Sequence, residues 1–200
     1  DNTLRLHTIM IMGNSNDSTF GPILINELKA QNEEFRIKSI EALGKLKYEN
    51  ASDEINKFLS SNNSFLEKLA ATGTLGNIGN KNVIPSLVEL INSWPSDWLE
   101  TDGPELRWEA ALALLKLDYI DNKTEKIINS LLKRSYYQSY NELDENTINF
   151  VMLKILNILF SIDDPKLLIY FNESVKFLAS EDPNLEIRNY AKKVCNILKK

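Results

Sequence analysis

The feature that most constrains this chain is a ten-residue apolar pattern that recurs at intervals of 31 to 45 residues. Clear copies begin at residues 4, 35, 67 and 106, and weaker copies begin at residues 151 and 187. Within a copy, apolar residues lie three or four positions apart, which places them on one face of a helix. One such face is too small to form a core, so each copy needs neighbours that cover it. The repeat therefore predicts a stack of helical pairs.

The stretch Glu67–Ile91 shows how one pair is predicted to form. Ser64 and Glu67 have the spacing of a capping box, which satisfies two backbone amides at a helix start. Gly79 can adopt the left-handed conformation that ends a helix. Pro85 suits the first turn of the following helix, because its missing N–H is not needed there. The stretch therefore predicts a helix, a turn and a second helix.

Three glycines lie inside the predicted helices, at the last position of a repeat copy. They are Gly13, Gly44 and Gly76. Glycine inside a helix costs roughly 1 kcal/mol relative to alanine. Because the same position carries glycine three times, we expect a neighbouring backbone to approach closely at each one.

Phe35–Gly44 and Leu75–Gly79 carry a resemblance to a known family. Both resemble the HEAT repeat, in the short form called the phycobilisome-lyase-type HEAT-like repeat, where an apolar residue and Arg precede Ala-Leu-Gly and Ile-Gly. The resemblance implies an all-α fold, an α-α superhelix in which about five helical hairpins form a HEAT-like solenoid. It extends over essentially the whole chain, so a single repeat domain is expected over residues 1–200.

The resemblance also implies a role for a basic residue near the start of the second helix of each pair. In the family this residue braces an acidic or amide group in the preceding turn. The matching positions here are Arg5, Arg36, Lys68, Arg107 and Arg188. The fifth unit departs from the pattern, because Met152 occupies this position and Phe160 occupies the glycine position.

The charge balance disfavours a nucleic-acid partner. The chain has 28 acidic and 23 basic residues, a net charge of −5, whereas phosphate binding needs concentrated Lys and Arg. No apolar run reaches the roughly 18 residues of a membrane-spanning helix. Cys195 is the only cysteine, so no intramolecular disulfide can form. We therefore expect a cytoplasmic protein that does not enter a membrane.

Two segments are longer than the corresponding connections of the other repeats, 92–105 and 135–149. Long insertions in a repeat array often lie on the binding face. These two carry aromatic and acidic residues, namely Trp94, Asp97, Trp98, Glu100, Tyr136, Tyr137, Tyr140 and Glu142. Aromatic side chains are favoured at binding hot spots, and acids select a basic partner. The alternative is that the aromatic residues fold back and fill a gap left by irregular stacking.

A second predicted surface is the concave side, which the second helix of each pair lines in HEAT solenoids. Trp108 is the best single candidate there for a contact residue, with Glu109 beside it. The alternative for Trp108 is packing between repeats, because Leu6, Ile37 and Leu153 occupy equivalent positions.

No catalytic or metal-binding pattern is recognisable. His7 is the only histidine, and no cluster of Cys, Asp or Glu has the spacing of metal ligands. Asp163 and Asp164 resemble paired carboxylates, but Pro165 follows them, and a helix-start cap explains them better. We therefore expect no catalytic residue, metal or cofactor, and a protein that is not an enzyme.

The leading hypothesis is a non-enzymatic protein-interaction module or scaffold, because stacked hairpins create a large curved surface. An acidic module would mask a basic partner, as an adaptor or an immunity-like protein does. One alternative, suggested by the repeat type, is a HEAT-like enzyme or enzyme subunit such as a chromophore lyase. Another is a relative of the HEAT-like alkylpurine DNA glycosylases, which need a basic concave face that the net charge disfavours. A third is an excerpt of a larger scaffold.

Overall fold

The structure, a computed structural model, describes residues 1–60, 62–93, 104–138, 143–162 and 164–197. Within these ranges every regular element is a helix, which confirms the predicted all-α class. The chain divides into two compact units, Asp1–Leu117 and Asp118–Lys200. The expectation of one repeat domain over residues 1–200 stays a prediction, and the units are described one at a time.

Unit 1 consists of two layers of helices. Its helices are α1 (Asn2–Asn14), α2 (Gly21–Glu27), α3 (Glu33–Lys45), α4 (Ser52–Asn56), α5 (Phe65–Ile78), α6 (Ile84–Asn92) and α7 (Pro104–Lys116). In the front layer α1 packs on α3, α3 on α5, and α5 on α7. Behind it, α2, α4 and α6 pack against α3, α5 and α7 respectively. Each pair thus covers the apolar face of the next, as the repeat predicts.

The front helices touch where the repeat pattern carries glycine. A Cβ added to Gly13 would lie 2.6 Å from Ala42 Cβ, and one added to Gly76 would lie 2.7 Å from Ala113 Cα. At Gly44 the nearest atom is Thr74 Oγ1, at 2.9 Å. Real Cβ atoms essentially never lie so close to another atom, so the predicted close approach of a neighbouring backbone is confirmed at Gly13 and Gly76, whereas at Gly44 the neighbour is the Thr74 side chain.

Local signals fix the ends of α5. Ser64 and Glu67 form the predicted capping box, with the Glu67 amide donating to Ser64 Oγ at 3.1 Å and the Ser64 amide donating to Glu67 Oε2 at 3.0 Å. Gly79 ends the helix in the left-handed conformation, at φ 89°. Leu75, in the middle, is fully buried, as are Leu43 in α3 and Leu114 in α7. The sequence signals and the core therefore agree in this repeat.

Unit 2 is less regular. It contains α8 (Asn122–Leu131), α9 (Arg134–Tyr137), α10 (Glu145–Phe160), a 3-10 helix (Pro165–Phe171), α11 (Asn172–Glu181) and α12 (Leu185–Ile197). Here α12 packs against both α10 and α11. The segment that follows Asp164 begins as the 3-10 helix and turns α-helical only at Asn172.

Candidate functional site

Most of the aromatic and acidic residues predicted to bind a partner lie outside the described residues. These are Trp94, Asp97, Trp98, Glu100, Tyr140 and Glu142. Their role in partner binding stays a prediction, and so does the basic character of the partner.

Two of the predicted contact residues are core residues. Trp108 in α7 is 6% exposed and Tyr137 in α9 is 2% exposed. The Tyr137 hydroxyl donates to the Leu131 carbonyl at 2.7 Å, and burial raises the pKa of this phenol well above its usual value. Side chains this buried offer almost no surface to a partner. The geometry therefore favours the packing alternative for both.

The other two predicted residues, Glu109 and Tyr136, remain partly exposed. The Glu109 carboxylate lies over Gly73, where an added Cβ would be 2.7 Å from Oε1. Tyr136 makes an edge-to-face contact with Tyr137, with ring centroids 5.7 Å apart. Their role in binding stays a prediction.

At Arg36, the basic position of the repeat links two consecutive repeats. Arg36 donates from Nη1 to the carbonyls of Ala30 and Gln31, at 2.7 and 2.8 Å. Its Nε donates to Glu67 Oε1 at 2.6 Å, in the capping box of the next repeat. The preceding turn is thus held through carbonyl oxygens rather than through an acidic or amide side chain, and the acid comes from the following repeat.

Glu67 is buried and charged at the same time. Burial by itself would raise its pKa, but hydrogen bonds from Arg36 and the Ser64 amide outweigh burial and hold the pKa of Glu67 below its ordinary value. A buried carboxylate so well satisfied is a structural brace.

Unit 2 contains a second brace, which the sequence analysis did not find. Arg134 grips Asp182 with two hydrogen bonds, Nε to Oδ2 at 2.8 Å and Nη2 to Oδ1 at 2.9 Å. It also donates to Glu145 Oε2 and Asn149 Oδ1, each at 2.6 Å. These carboxylates raise the pKa of Arg134, with Asp182 contributing most. Arg134 matches no position of the repeat pattern, so periodicity could not have indicated it.

Unit 2 contains an open groove along the 3-10 helix, α11 and α12. We call it the lysine groove. Its volume is about 980 Å³. Its lining includes Lys166, Leu167, Ile169, Tyr170, Lys176, Lys192, Cys195 and Ile197.

The 3-10 helix explains why apolar side chains face this groove. A 3-10 helix has three residues per turn, so positions three apart lie on one side. Leu168 and Phe171 point into the core and are fully buried. Ile169 and Tyr170, between them, are left 69% and 46% exposed. The segment reads as a continuous apolar run, from which its outward residues could not be distinguished.

Neighbouring elements hold this wall in place. The Asp164 side chain accepts the Lys166 amide at 3.0 Å and caps the 3-10 helix. Asn129 in α8 donates to the Tyr170 carbonyl at 3.0 Å and accepts from the Ser174 hydroxyl at 2.6 Å. The exposed apolar residues are therefore presented by an anchored backbone.

Comparison with protein families identifies the repeat type. A family model described as HEAT repeats matches residues 21–99. The matched residues include α2 to α6 and the two links made by Gly44 and Arg36, so the predicted resemblance to HEAT repeats is confirmed there.

A solved structure extends the likeness of fold beyond these HEAT repeats. The complex of CpcE and CpcF of phycocyanin lyase from Nostoc sp. PCC7120 matches 100% of this chain and 89% of the matched chain, with a TM-score of 0.53 and 16% identity. At this identity the likeness shows a shared fold. The comparison with curated proteins gives no match.

The expectation that the protein is not an enzyme is wrong as it was argued. It depended on the absence of catalytic motifs from a HEAT-like chain. The matched structure belongs to a lyase, so this arrangement of helices serves in an enzyme. Missing triads and metal motifs therefore do not exclude activity from a HEAT-repeat chain.

Within the ranges that the structure describes, no three His, Cys, Asp or Glu side chains come together in a way that could hold a metal ion. Among the helices described, none combines the length and apolar character needed to cross a membrane. The predicted cytoplasmic location stays a prediction.

Proposed function

We propose that this HEAT-repeat protein binds another protein, and that the lysine groove is a docking surface. The observation that carries the proposal is the exposure of Ile169 and Tyr170, side by side, in a concave surface whose backbone is fixed. Neighbouring large apolar side chains in a groove are typical of interaction sites.

The composition of the groove matches that of a protein interface. Isoleucine and tyrosine provide the apolar and aromatic contact area that a central anchor needs. Lysines surround them, and charges at the edge of an interface mainly increase the rate and selectivity of association. Long lysine side chains also cover apolar surface with their methylene groups.

For the acidic and aromatic residues of segments 92–105 and 135–149 we propose that their acids select a basic region of a partner. The described residues of these segments do not line the lysine groove, so substitutions can test the two proposals independently.

A groove-directed double substitution tests the proposed function. Ile169→Ser with Tyr170→Ser removes the apolar contact area but leaves the Tyr170 carbonyl that Asn129 binds. Phe150→Ser with Phe177→Ser is the matched control, because both residues are exposed in unit 2 and neither lines the lysine groove. We expect the Kd of the partner to rise at least tenfold for the groove variant, about 1.4 kcal/mol of binding free energy. The control should bind with the wild-type Kd.

The measurement has two stages. Immobilised protein captures a partner from its native lysate, and the purified partner is then titrated against all three forms. Equal affinity of the groove variant and the wild type would contradict docking in the lysine groove.

A role as a lyase subunit is the second candidate, favoured by the structural match over the whole chain. Attachment of a chromophore to apo-phycocyanin would be assayed with the chain alone and with a candidate second subunit. A covalently coloured product that depends on this chain would support the role. An unchanged background rate would contradict it.

A further inference from the structure

We infer that the occupant of the lysine groove is an acidic amphipathic α-helix of the partner protein. The inference builds on the proposed function and adds the chemistry and shape of what binds.

The charge of the groove supports an acidic occupant. Lys166, Lys176 and Lys192 come from three different elements, the 3-10 helix, α11 and α12, yet they line one groove. None of the described residues that line it is acidic. The chain as a whole has a net charge of −5, so the groove is locally opposite in sign to the average. Carboxylates placed between three lysines would relieve their mutual repulsion.

The size of the groove fits a helix lying along it. An α-helix is about 10–12 Å across and rises about 1.5 Å per residue, so half of the cylinder formed by about 13 residues has a volume of roughly 950 Å³. The groove has about 980 Å³. A groove of this volume accommodates one face of a short helix, which would be the helix-in-groove mode of recognition.

The lining explains why the helix must be amphipathic. Leu167, Ile169, Tyr170 and Ile197 form an apolar surface that suits leucine-like side chains spaced at i, i+3, i+4 and i+7. The lysines around it would pair with Glu or Asp on the flanks of the same helix. An isolated acyl chain would leave much of this open surface wet, and nucleic-acid sites rely more on arginine and several stacked aromatic rings.

Designed peptides test the inference with the whole chain. The probe is a fluorescent 18-residue helical peptide with a leucine face and Glu on both flanks, and its counterpart has Lys in place of Glu. We expect the Glu peptide to bind at least tenfold more tightly than the Lys peptide, measured by fluorescence anisotropy.

Charge reversal of the groove sharpens this test. The triple variant Lys166→Glu, Lys176→Glu, Lys192→Glu should weaken the Glu peptide at least tenfold and strengthen the Lys peptide. The control Lys29→Glu, Lys126→Glu, Lys133→Glu makes the same change in net charge with exposed residues that do not line the groove, and it should leave both affinities within about twofold, since distant charges are screened. A milder triple change to Gln, with circular dichroism on every variant, separates lost binding from lost folding.

Several outcomes would overturn the inference. They are no binding of the Glu peptide to the wild type, equal binding of the two peptides, or no effect of charge reversal. A dimer that the groove triple variant dissociates would assign the groove to a second copy. Retention on phosphatidylserine vesicles that the same variant loses would assign it to a membrane surface. The proposed function is tested separately by the Ile169→Ser, Tyr170→Ser variant. Docking in the lysine groove is contradicted if the captured partner binds this variant with wild-type affinity.

Discussion

The two units solve the same packing problem in different ways. In unit 1, glycines let consecutive front helices approach to backbone contact, as at Gly76 against Ala113. In unit 2, Phe160 occupies the glycine position of α10, and its ring makes an edge-to-face contact with Tyr190 of α12, with centroids 5.9 Å apart. The front helices of unit 1 therefore pack through close backbone approach, whereas α10 and α12 of unit 2 pack through large side chains.

The polar braces differ in the same sense. Arg36 lies at the repeat position and links one repeat to the capping box of the next. Arg134 lies outside the pattern and joins the start of α10 to the turn that precedes α12. In unit 1 the arginine that joins two repeats is part of the repeat pattern. In unit 2 the arginine that joins the helices lies outside that pattern.

The largest expected effect comes from breaking the brace of unit 2. Arg134→Met leaves Asp182, whose side chain is 1% exposed, without its cationic partner. Removing one partner of a buried pair costs about 3–5 kcal/mol. Because Arg134 retains 19% exposure, we expect the lower end, measured as the loss of unfolding free energy in urea.

An exposed ion pair provides the control for Arg134. Lys57 and Glu54 are bonded at 2.6 Å, but their side chains are 68% and 43% exposed. Lys57→Met should change stability by no more than about 0.5 kcal/mol. If the two variants lose the same free energy, the Arg134 cluster is no brace.

The next effect is in unit 1, where one added methyl group should open a helix contact. Gly76→Ala places a Cβ 2.7 Å from the Cα of Ala113, so backbone rather than a flexible side chain would have to shift. Overpacking costs about 1–3 kcal/mol, and this exceeds the gain of up to about 1 kcal/mol from higher helix propensity. We expect a lower thermal midpoint.

Gly73→Ala is the matched control, three residues earlier in the same helix. Its Cβ would meet the flexible Glu109 side chain rather than a backbone, so the rearrangement needed is smaller than at Gly76. We expect unchanged or slightly higher stability. A variant at Gly76 that is as stable as the one at Gly73 would show that close approach does not hold unit 1 together.

Unit 1 could be predicted largely from the sequence, because each of its signals is local or periodic. Ser64, Glu67 and Gly79 fix the ends of α5 through short-range hydrogen bonding and backbone conformation. The glycine that recurs at the end of three repeat copies indicates where consecutive front helices approach each other. The most buried residues of this unit lie in its core, and Trp108 is among them.

Unit 2 could not be predicted to the same depth, for reasons that particular residues show. Arg134 and Asp182 are bonded across 48 positions of sequence, and nothing periodic connects them. The lysines of the groove come from three elements whose relative position depends on tertiary packing. The 3-10 helix at Pro165–Phe171 has an apolar composition that also suits an α-helix, and the choice between them decides which residues face outward.

The smallest effect concerns the pH dependence of the unit 1 brace. The pKa of Glu67 lies below its ordinary value in the folded chain, so the folded state favours the charged carboxylate. The resulting stabilisation is fully present above the unfolded-state pKa, which is about 4.3 for Glu, and is lost as the pH falls through the lower folded pKa. Glu67→Gln should therefore cost about 1 kcal/mol at pH 7, and the difference from the wild type should shrink in acid.

Glu54 separates this brace from ordinary surface charge. Its pKa is also lowered, through the hydrogen bond from Lys57, but the side chain lies at the surface. Glu54→Gln should leave the dependence of stability on pH unchanged within error, because solvent screens the pair. Urea unfolding of both variants between pH 3 and pH 7 makes the comparison. If the unfolding free energies of wild type and Glu67→Gln depend on pH in the same way, Arg36 does not favour the charged form of Glu67. The basic repeat position would then only hold the two repeats in place.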